Sequence, residues 1–340
     1  MAENNNRTAR ARDFIKAYVD LIQKRSNPDK DWIVPTGLNH LDDMLDDGFT
    51  GGQLVVIAAR PAMGKTAFSL QIAENISKGK KIIFFSMEMG AIELIDRLVT
   101  RNTGISATFL KKGKTREEDF AKIGNYLLEL RENKNFYINE DSTHTIKTID
   151  TEVSGIIEQL RKEYPDEPLK VGAIIIDYLQ LIKGLKSTQN RNEQIGEITR
   201  FFKELARRYN IPVILLSQLN RSLESRPNKR PLLSDLKESG SIEQDADIVI
   251  ALYRPEVYYP EKEELKGIAE AIVLKNRSGQ TGTSYMRFMG QYYSFESITV
   301  EEFVMKAKTE FNNSFGGKKS RSEKRRAQTD KLRRVAEDQY

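Results

Sequence analysis

Residues 58–69 read AARPAMGKTAFS. The string nearly matches G-x-x-x-x-G-K-[ST], the pattern of a loop that wraps phosphates, but Ala59 stands where that pattern opens with glycine. Such a loop works because successive backbone N–H groups at a helix N-terminus point at an anion, helped by the helix dipole. The flanks therefore carry more weight than the spelling. QLVVIA (53–58) reads as a buried strand before the loop, and KTAFSLQIAENIS (65–77) as a helix after it. Gly64 stands nearest the phosphates, Lys65 is placed for the β- and γ-phosphates, and Thr66 for Mg²⁺. ATP is the expected ligand, held by Arg60, Ala62, Met63, Gly64, Lys65, Thr66 and Ala67. At ordinary residue frequencies the relaxed string arises by chance in roughly 3% of chains this long, before strand and helix are demanded. Alanine is acceptable at position 59 if small size, rather than a positive φ, is what the position needs.

Outward from the loop, short apolar runs alternate with helical stretches. The runs are QLVVIA, KIIFFS (81–86), VGAIIID (171–177), IPVILLS (211–217) and DIVIALY (247–253), with helices expected near 65–78, 91–103, 115–132, 146–164 and 192–210. Continuous apolar strands separated by helices imply an α/β fold with a mainly parallel sheet covered on both faces. Residues 269–290 form two strand-like arms around Ser278-Gly279, a hairpin signature. Ligands of open parallel sheets bind beyond the carboxyl ends of the strands. Three polar residues end strands there. Glu88 is a candidate to orient and deprotonate an attacking water, Asp177 has the form of a Walker B aspartate holding Mg²⁺, and Gln218 is suited to sense the γ-phosphate. Singly each reads as a polar strand cap; together, beside a phosphate loop, they point to ATP hydrolysis.

Composition narrows the class further. With 340 residues, 39% hydrophobic and 30% charged, the chain is expected to be a soluble globular protein with one large domain and tails. No apolar run approaches a bilayer span, and MAENNNRTARARD lacks the apolar core of a secretory signal, so membrane insertion and export are not expected. The absence of cysteine excludes disulfides and thiolate chemistry and agrees with a cytoplasmic protein. His40 and His144 are the only histidines, too few for a histidine-based zinc cage and a poor basis for a catalytic triad. The net charge of +5 lies wholly in residues 316–340, where nine Lys or Arg face four Asp or Glu. That tail reads equally as a nucleic-acid contact and as a solvated extension. Residues 10–25 space Phe14, Tyr18, Leu21 and Ile22 as one helix face, which packs either on its own domain or on a neighbouring subunit.

These motifs in this order resemble the C-terminal motor domain of DnaB-type replicative helicases, a RecA-like P-loop ATPase fold. The resemblance runs from about Trp32 to Ile298 and rests on AARPAMGKT, FFSMEM (84–89), IIIDYLQLI (174–182), LLSQLNRSLESRPNKRP (215–231) and SDLKESGSIEQDADIV (234–249). That family's own phosphate loop commonly opens with alanine. The resemblance implies that Lys65 and Thr66 bind phosphate and Mg²⁺, that Glu88 is the catalytic base and Asp177 the Walker B acid. It also implies that Lys275 and Arg277 reach the ATP of a neighbouring subunit, Arg277 as arginine finger; by themselves these two read as an exposed hairpin pair. SDLKESGS is similar to the family's central-pore loop, so Lys237, Glu238 and Gly240 are expected to grip single-stranded DNA. The earlier loop, with Lys183, Lys186 and Arg191, is a second candidate pore lining. Lysine at position 237, often arginine in the family, keeps the charge but lacks the planar fork.

The implied function is a homohexameric ATP-dependent DNA helicase moving 5′ to 3′, with a loader and a primase as further partners. Three segments are expected: residues 1–31 as arm and linker helix docking on the adjacent motor, 32–311 as motor, and 312–340 as basic tail. The family's usual N-terminal helical domain is not expected ahead of the linker helix, so its collar and primase-recruiting roles are expected to come from another protein or to be dispensed with, as in a phage or plasmid enzyme. Two other readings stay available: a RecA-like recombination ATPase forming filaments on DNA, and a non-catalytic ATP-dependent assembly platform.

Overall fold

The computed structural model describes residues 10–27, 29–165, 170–183, 190–236, 239–299 and 301–303. Helix α1 (Ile15–Arg25) leads into a small two-stranded ribbon, β1 (Ile33–Val34) and β2 (Phe49–Thr50), which brackets α2 (Asn39–Met44). The body then runs β3 (Leu54–Ala59), α3 (Lys65–Ser77), β4 (Lys81–Ser86), α4 (Ala91–Thr103), α5 (Ala107–Lys111), α6 (Glu117–Glu132), β5 (Phe136–Asn139) and α7 (Ile146–Glu163). It continues through β6 (Val171–Asp177), α8 (Arg191–Tyr209), β7 (Val213–Gln218), α9 (Ser239–Asp245), β8 (Ile248–Tyr253) and α10 (Pro255–Tyr258). Strands β9 (Ile268–Asn276), β10 (Gly282–Met289) and β11 (Ser294–Ser297) close the fold.

The main sheet has the order β11-β10-β9-β8-β3-β7-β6-β4-β5. Pairing is parallel from β8 to β5 and antiparallel from β8 through β11. Alternation along β3 explains the layering, because successive strand residues face opposite sides. Val55, Ile57 and Ala59 enter a core with Phe68 and Ile72 of α3, Leu94 and Leu98 of α4, and Phe288 and Phe295 of the hairpin side. Leu54, Val56 and Ala58 enter the opposite core with α7 (Ile149, Val153) and α8 (Ile198, Phe202). Strands buried on both faces need apolar residues at every position, hence the unbroken runs in the sequence.

The helix ends are specified locally. Thr145 caps α7 by accepting from the Thr148 amide at 3.2 Å, and Asn190 caps α8 by accepting from the Glu193 amide at 2.9 Å. Gly104 stops α4 with φ +67°, a backbone shape that glycine adopts without strain.

The N-terminal helix does not bury its stripe on its own domain. Phe14, Ile15, Tyr18, Val19, Leu21 and Ile22 are 39–61% exposed. At its far end Arg25 lies 5.9 Å from the Trp32 ring centroid. Among the described residues no helix is long and apolar enough to cross a membrane.

One buried polar cluster ties the helices of the α3 face together. Glu74 of α3, 8% exposed, is paired with Arg101 of α4 and accepts from Asn102 at 2.6 Å and from the Tyr126 hydroxyl of α6 at 2.8 Å. Burial, then the Glu74 carboxylate, pushes the Tyr126 phenol well above its usual range. Removing the carboxylate strands a guanidinium and a hydroxyl in the interior. Glu74→Ala is therefore expected to lower the unfolding free energy by about 3 kcal/mol, read from the midpoint of urea denaturation at unchanged slope.

Candidate active site

The phosphate loop joins β3 to α3 at the carboxyl edge of the parallel strands. Ala59 is the last residue of β3, 1% exposed and paired with Gln218 of β7 and Leu252 of β8. It is ordinary extended backbone between two strands, so the position asks for a small side chain and not for a positive φ. The left-handed turns fall later, at Ala62 (φ +67°) and Gly64 (φ +90°). A Cβ on Gly64 would also stand 3.0 Å from Cζ of Phe295. The first helical bond of α3 runs from the Phe68 amide to the Gly64 carbonyl at 2.8 Å, so the amides of Lys65, Thr66 and Ala67 have no carbonyl within the helix to meet. They face a cavity of about 620 Å³ lined by Arg60, Ala62, Gly64, Lys65, Thr66, Glu88, Tyr178 and Gln218, among others. Met63 instead packs into the core, 2% exposed.

Asp177 ends β6 with no exposed surface. Thr66 Oγ1 donates to its Oδ2 at 2.6 Å, and the Lys65 ammonium lies 3.7 Å from its Oδ1. Oδ1 nevertheless accepts no hydrogen bond among the described residues. Lys65 also sits 4.1 Å from the Tyr178 ring centroid. Burial holds the Lys65 ammonium below its usual pKa, opposed by the carboxylates of Asp177 and Glu88. A buried carboxylate with an unused oxygen, beside a threonine hydroxyl at the head of a helix, is the hard oxygen set that suits Mg²⁺.

Glu88 follows β4 and is exposed to the cavity. Its loop is pinned by the Met87 amide donating to the Asp177 carbonyl at 2.8 Å and by Ser86 Oγ donating to the Met89 carbonyl at 2.6 Å. Gln218 ends β7, where the next amide, that of Leu219, donates to the Ala59 carbonyl at 3.0 Å. Lys65, Thr66, Glu88 and Gln218 thus line one cavity, with Asp177 buried behind Lys65 and Thr66. Arg60 lines it too, but its guanidinium donates to Glu224 and to the Leu219 carbonyl, each at 2.9 Å.

Lys275 and Arg277 lie elsewhere. β9 is antiparallel to β8 with Asn276 opposite Ile248, which puts both at the amino end of the parallel strands. The six residues of β8 separate that end from the phosphate loop, about 20 Å at strand rise. There Lys275 Nζ donates to the carbonyls of Glu243 (2.5 Å) and Ala246 (2.7 Å), and Arg277 pairs with Asp247 at 3.3 Å. Burial, then Arg277, lowers the Lys275 pKa.

Of the expected strand-contacting residues, Gly240 is exposed on the first turn of α9, while Lys237 and Glu238 lie outside the described residues, as do Lys186 and the basic tail. Arg191, expected at the pore, has its guanidinium turned inward at the head of α8, donating to the Gln180 carbonyl at 2.9 Å, to Gln194 at 2.9 Å and to the Ile182 carbonyl at 3.3 Å. A side chain that holds the turn after β6 in this way is occupied by its own chain, a role its charge alone did not announce.

Sequence reading missed one wall of the cavity. Arg254, just past β8, donates to the Ala62 carbonyl at 2.7 Å and stacks 4.0 Å over the Phe288 ring; Arg97 lies 5.0 Å over Tyr293. The carboxyl-end rule that found Glu88, Asp177 and Gln218 applies equally to Arg254, which follows the strand DIVIALY. Phe288 and Tyr293 carry no such signal, since their place depends on β10 and β11 folding back over the loop.

Comparison with known proteins agrees with this architecture. The profile of the DnaB-like helicase C terminal domain matches residues 33–297. The replicative DNA helicase DnaB of Geobacillus stearothermophilus is 41% identical over 291 residues, covering 84% of this chain and 62% of that protein. The replicative DNA helicase DnaC of Bacillus subtilis (strain 168) is 40% identical over 304 residues, 88% of this chain and 64% of that one. The chain therefore spans a little under two thirds of the length of these curated relatives. Among solved structures, an isolated ATPase domain superposes with a TM-score of 0.75 at 36% identity, covering 84% of this chain and 99% of that one. A DnaB-like replicative helicase, studied with its interactions with primase, gives 0.73 at 34% identity over 88% and 69% of the two chains. The expected RecA-like fold is the observed one, and the chain belongs to the DnaB-like helicase C-terminal domain family.

Proposed function

We propose that this chain is the motor of a ring-shaped DNA helicase that hydrolyses ATP at the seams between copies and moves along one DNA strand, 5′ to 3′, parting the duplex ahead of it. One observation carries the reading: the phosphate loop and the basic pair Lys275 and Arg277 stand at opposite ends of the same sheet. A finger about 20 Å from its own nucleotide is useful only to the nucleotide of another copy.

The chemistry follows from the side chains. Lys65 and the amides at the head of α3 bind the phosphates. Thr66 and Asp177 would hold Mg²⁺, which neutralises phosphate charge when bound. Glu88 takes a proton from the attacking water as its oxygen bonds to the γ-phosphorus and the bond to ADP breaks. Gln218 hydrogen-bonds the γ-phosphate. Arg277 of the adjacent copy stabilises charge on the transferring group, so turnover depends on how the seam is closed. The adenine base meets the wall made by Arg254, Phe288 and Tyr293. Lys237, Glu238 and Gly240 grip the strand in the ring's pore.

Two exposed apolar faces support assembly. One is the stripe on α1. The other, across α5 and α6, comprises Phe109, Phe120, Leu127 and Leu128, 40–62% exposed. We assign the second as the seat for the first on a neighbouring copy, in a hexamer. A loader, a primase and a location in the bacterial cytoplasm belong to the same reading.

Unwinding of forked duplexes bearing a 5′ or a 3′ single-stranded tail tests the whole. The 5′-tailed fork is expected to open, and Lys65→Ala is expected to lower ATP turnover at least about a hundredfold and abolish opening; turnover retained in Lys65→Ala would sink the site assignment. Sharing of sites has its own test. Mixing Lys65→Ala with Arg277→Ala subunits should recover turnover that neither variant shows alone, because some seams then pair an intact loop with an intact finger. A strictly additive mixture would mean that each copy is self-sufficient. Replacing Tyr18 and Ile22 together by Asp is expected to shift the assembly to monomers in light scattering, with the fold intact by circular dichroism.

A further inference from the structure

Arg60 has two claims on it. It follows β3 in the phosphate loop and lines the nucleotide cavity, yet its guanidinium is held by Glu224 and by the Leu219 carbonyl, both in the segment after β7. That segment is braced at its other end. Leu219 bridges Leu236, the Asn220 amide donates to the Asp235 carbonyl at 2.7 Å, and the Asp235 carboxylate, 5% exposed, accepts from Arg226 at 2.6 Å and from the Leu232 amide at 2.8 Å. Residues 219–236 therefore form one cross-linked loop, fastened to the phosphate loop through Arg60 and ending immediately before Lys237.

The fastening is exchangeable. The Glu224 side chain is one third exposed, so its pair with Arg60 is partly screened and weak. Arg221 stands 3.4 Å from the other carboxylate oxygen. The Tyr258 hydroxyl is buried without a hydrogen-bond partner among the described residues. Burial, then the charge of Glu224, raises its pKa while Arg60 lowers it. A carboxylate that loses Arg60 thus has Arg221 at hand.

We propose that the Arg60–Glu224 pair is a latch for which nucleotide phosphate competes: phosphates in the cavity draw Arg60 off Glu224 and free residues 219–236, carrying the nucleotide state to the strand-gripping residues beyond Leu236. The proposal rests on the ATPase reading above and adds the route from the site to the strand. The same planar fork that fits a carboxylate fits a phosphate, and a triphosphate offers more negative charge than one glutamate. Nucleotide binding then includes the work of opening the latch, which lowers the apparent affinity by the fraction of molecules already open.

Glu224→Gln in the full chain is the test, with Glu224→Asp as the charge-keeping control. Titration with a fluorescent ATP analogue is expected to show about fivefold tighter binding in Glu224→Gln, and a thymidine oligonucleotide is expected to stimulate its turnover less than in wild type. Glu224→Asp should keep both properties near wild type. A loop damaged in folding would weaken nucleotide binding, the opposite sign. Unchanged or weaker binding in Glu224→Gln, or oligonucleotide stimulation at the wild-type ratio, overturns the latch. Wild-type turnover indifferent to the oligonucleotide would instead remove the helicase reading, and the affinity of Glu224→Gln would then decide the latch alone.

Discussion

The site is organised by a carboxylate that water cannot reach. Asp177 has no exposed surface, and an isolated buried carboxylate is costly even after the protein relaxes around it. Its compensation comes from a single helical turn, through Thr66 at 2.6 Å and Lys65 at 3.7 Å. That demand fixes the end of β6 against the head of α3, which lies two strands away after β3 in the order β3-β7-β6. The compensation is incomplete, since one oxygen of Asp177 accepts no hydrogen bond among the described residues while Lys65 is itself depressed by burial. Phosphate for the lysine and a hard cation for the aspartate would relieve both at once. Affinity for a metal-bound polyphosphate would thus follow from how the core charges are left, with the exposed Glu88 after β4 adding its charge to the same balance at Lys65.

Strand direction then divides the labour. Six strands, from β8 to β5 in the sheet order, run the same way, so every βα turn delivers its residues to one edge, and the nucleotide cavity gathers there. The antiparallel strand β9 does the reverse. Its final residues return to the amino edge, where Asp247 receives Arg277 at 3.3 Å, the Lys203 ammonium at 2.5 Å and the Leu54 amide at 2.7 Å. The basic pair is held in place by a knot of hydrogen bonds far from its own chain's phosphate loop.

The sequence disclosed this plan wherever a residue's role is local. The five central strands and five helices fall within one or two residues of their apolar runs and helical spacing, because strands buried on both faces admit few polar residues. The substitution at Ala59 became legible once its strand neighbours were considered, whereas the positive φ of Ala62 was hidden, since nothing in the string ARPAM distinguishes it. What escaped depends on distant pairing. β5, with four half-exposed residues FYIN, and β11, SFES, are edge strands with no strong pattern. Phe288 and Tyr293 reach the cavity only because β10 and β11 fold back over α3, and the inward turn of Arg191 depends on carbonyls supplied by the turn after β6. Charge was readable from the sequence; which charge is already engaged was not.

The features left unfinished in one chain converge on one flank. Leu21 and Arg25 of α1 line a cavity of about 600 Å³ together with Trp32, Asn276 and Ser278, so the exposed apolar helix and the hairpin bearing Arg277 share the amino edge of the sheet. A stripe of exposed Phe, Tyr, Leu and Ile is unfavourable in water and gains from any apolar seat that can also be reached by the hairpin. A neighbour docked there would cover the stripe and bring its nucleotide edge toward Arg277 in the same motion. Because such an apolar contact would supply binding energy without directional chemistry, it could hold copies together through every nucleotide state. In such an assembly the arginine, with its directional hydrogen bonds, would be left to report whether a given seam is closed.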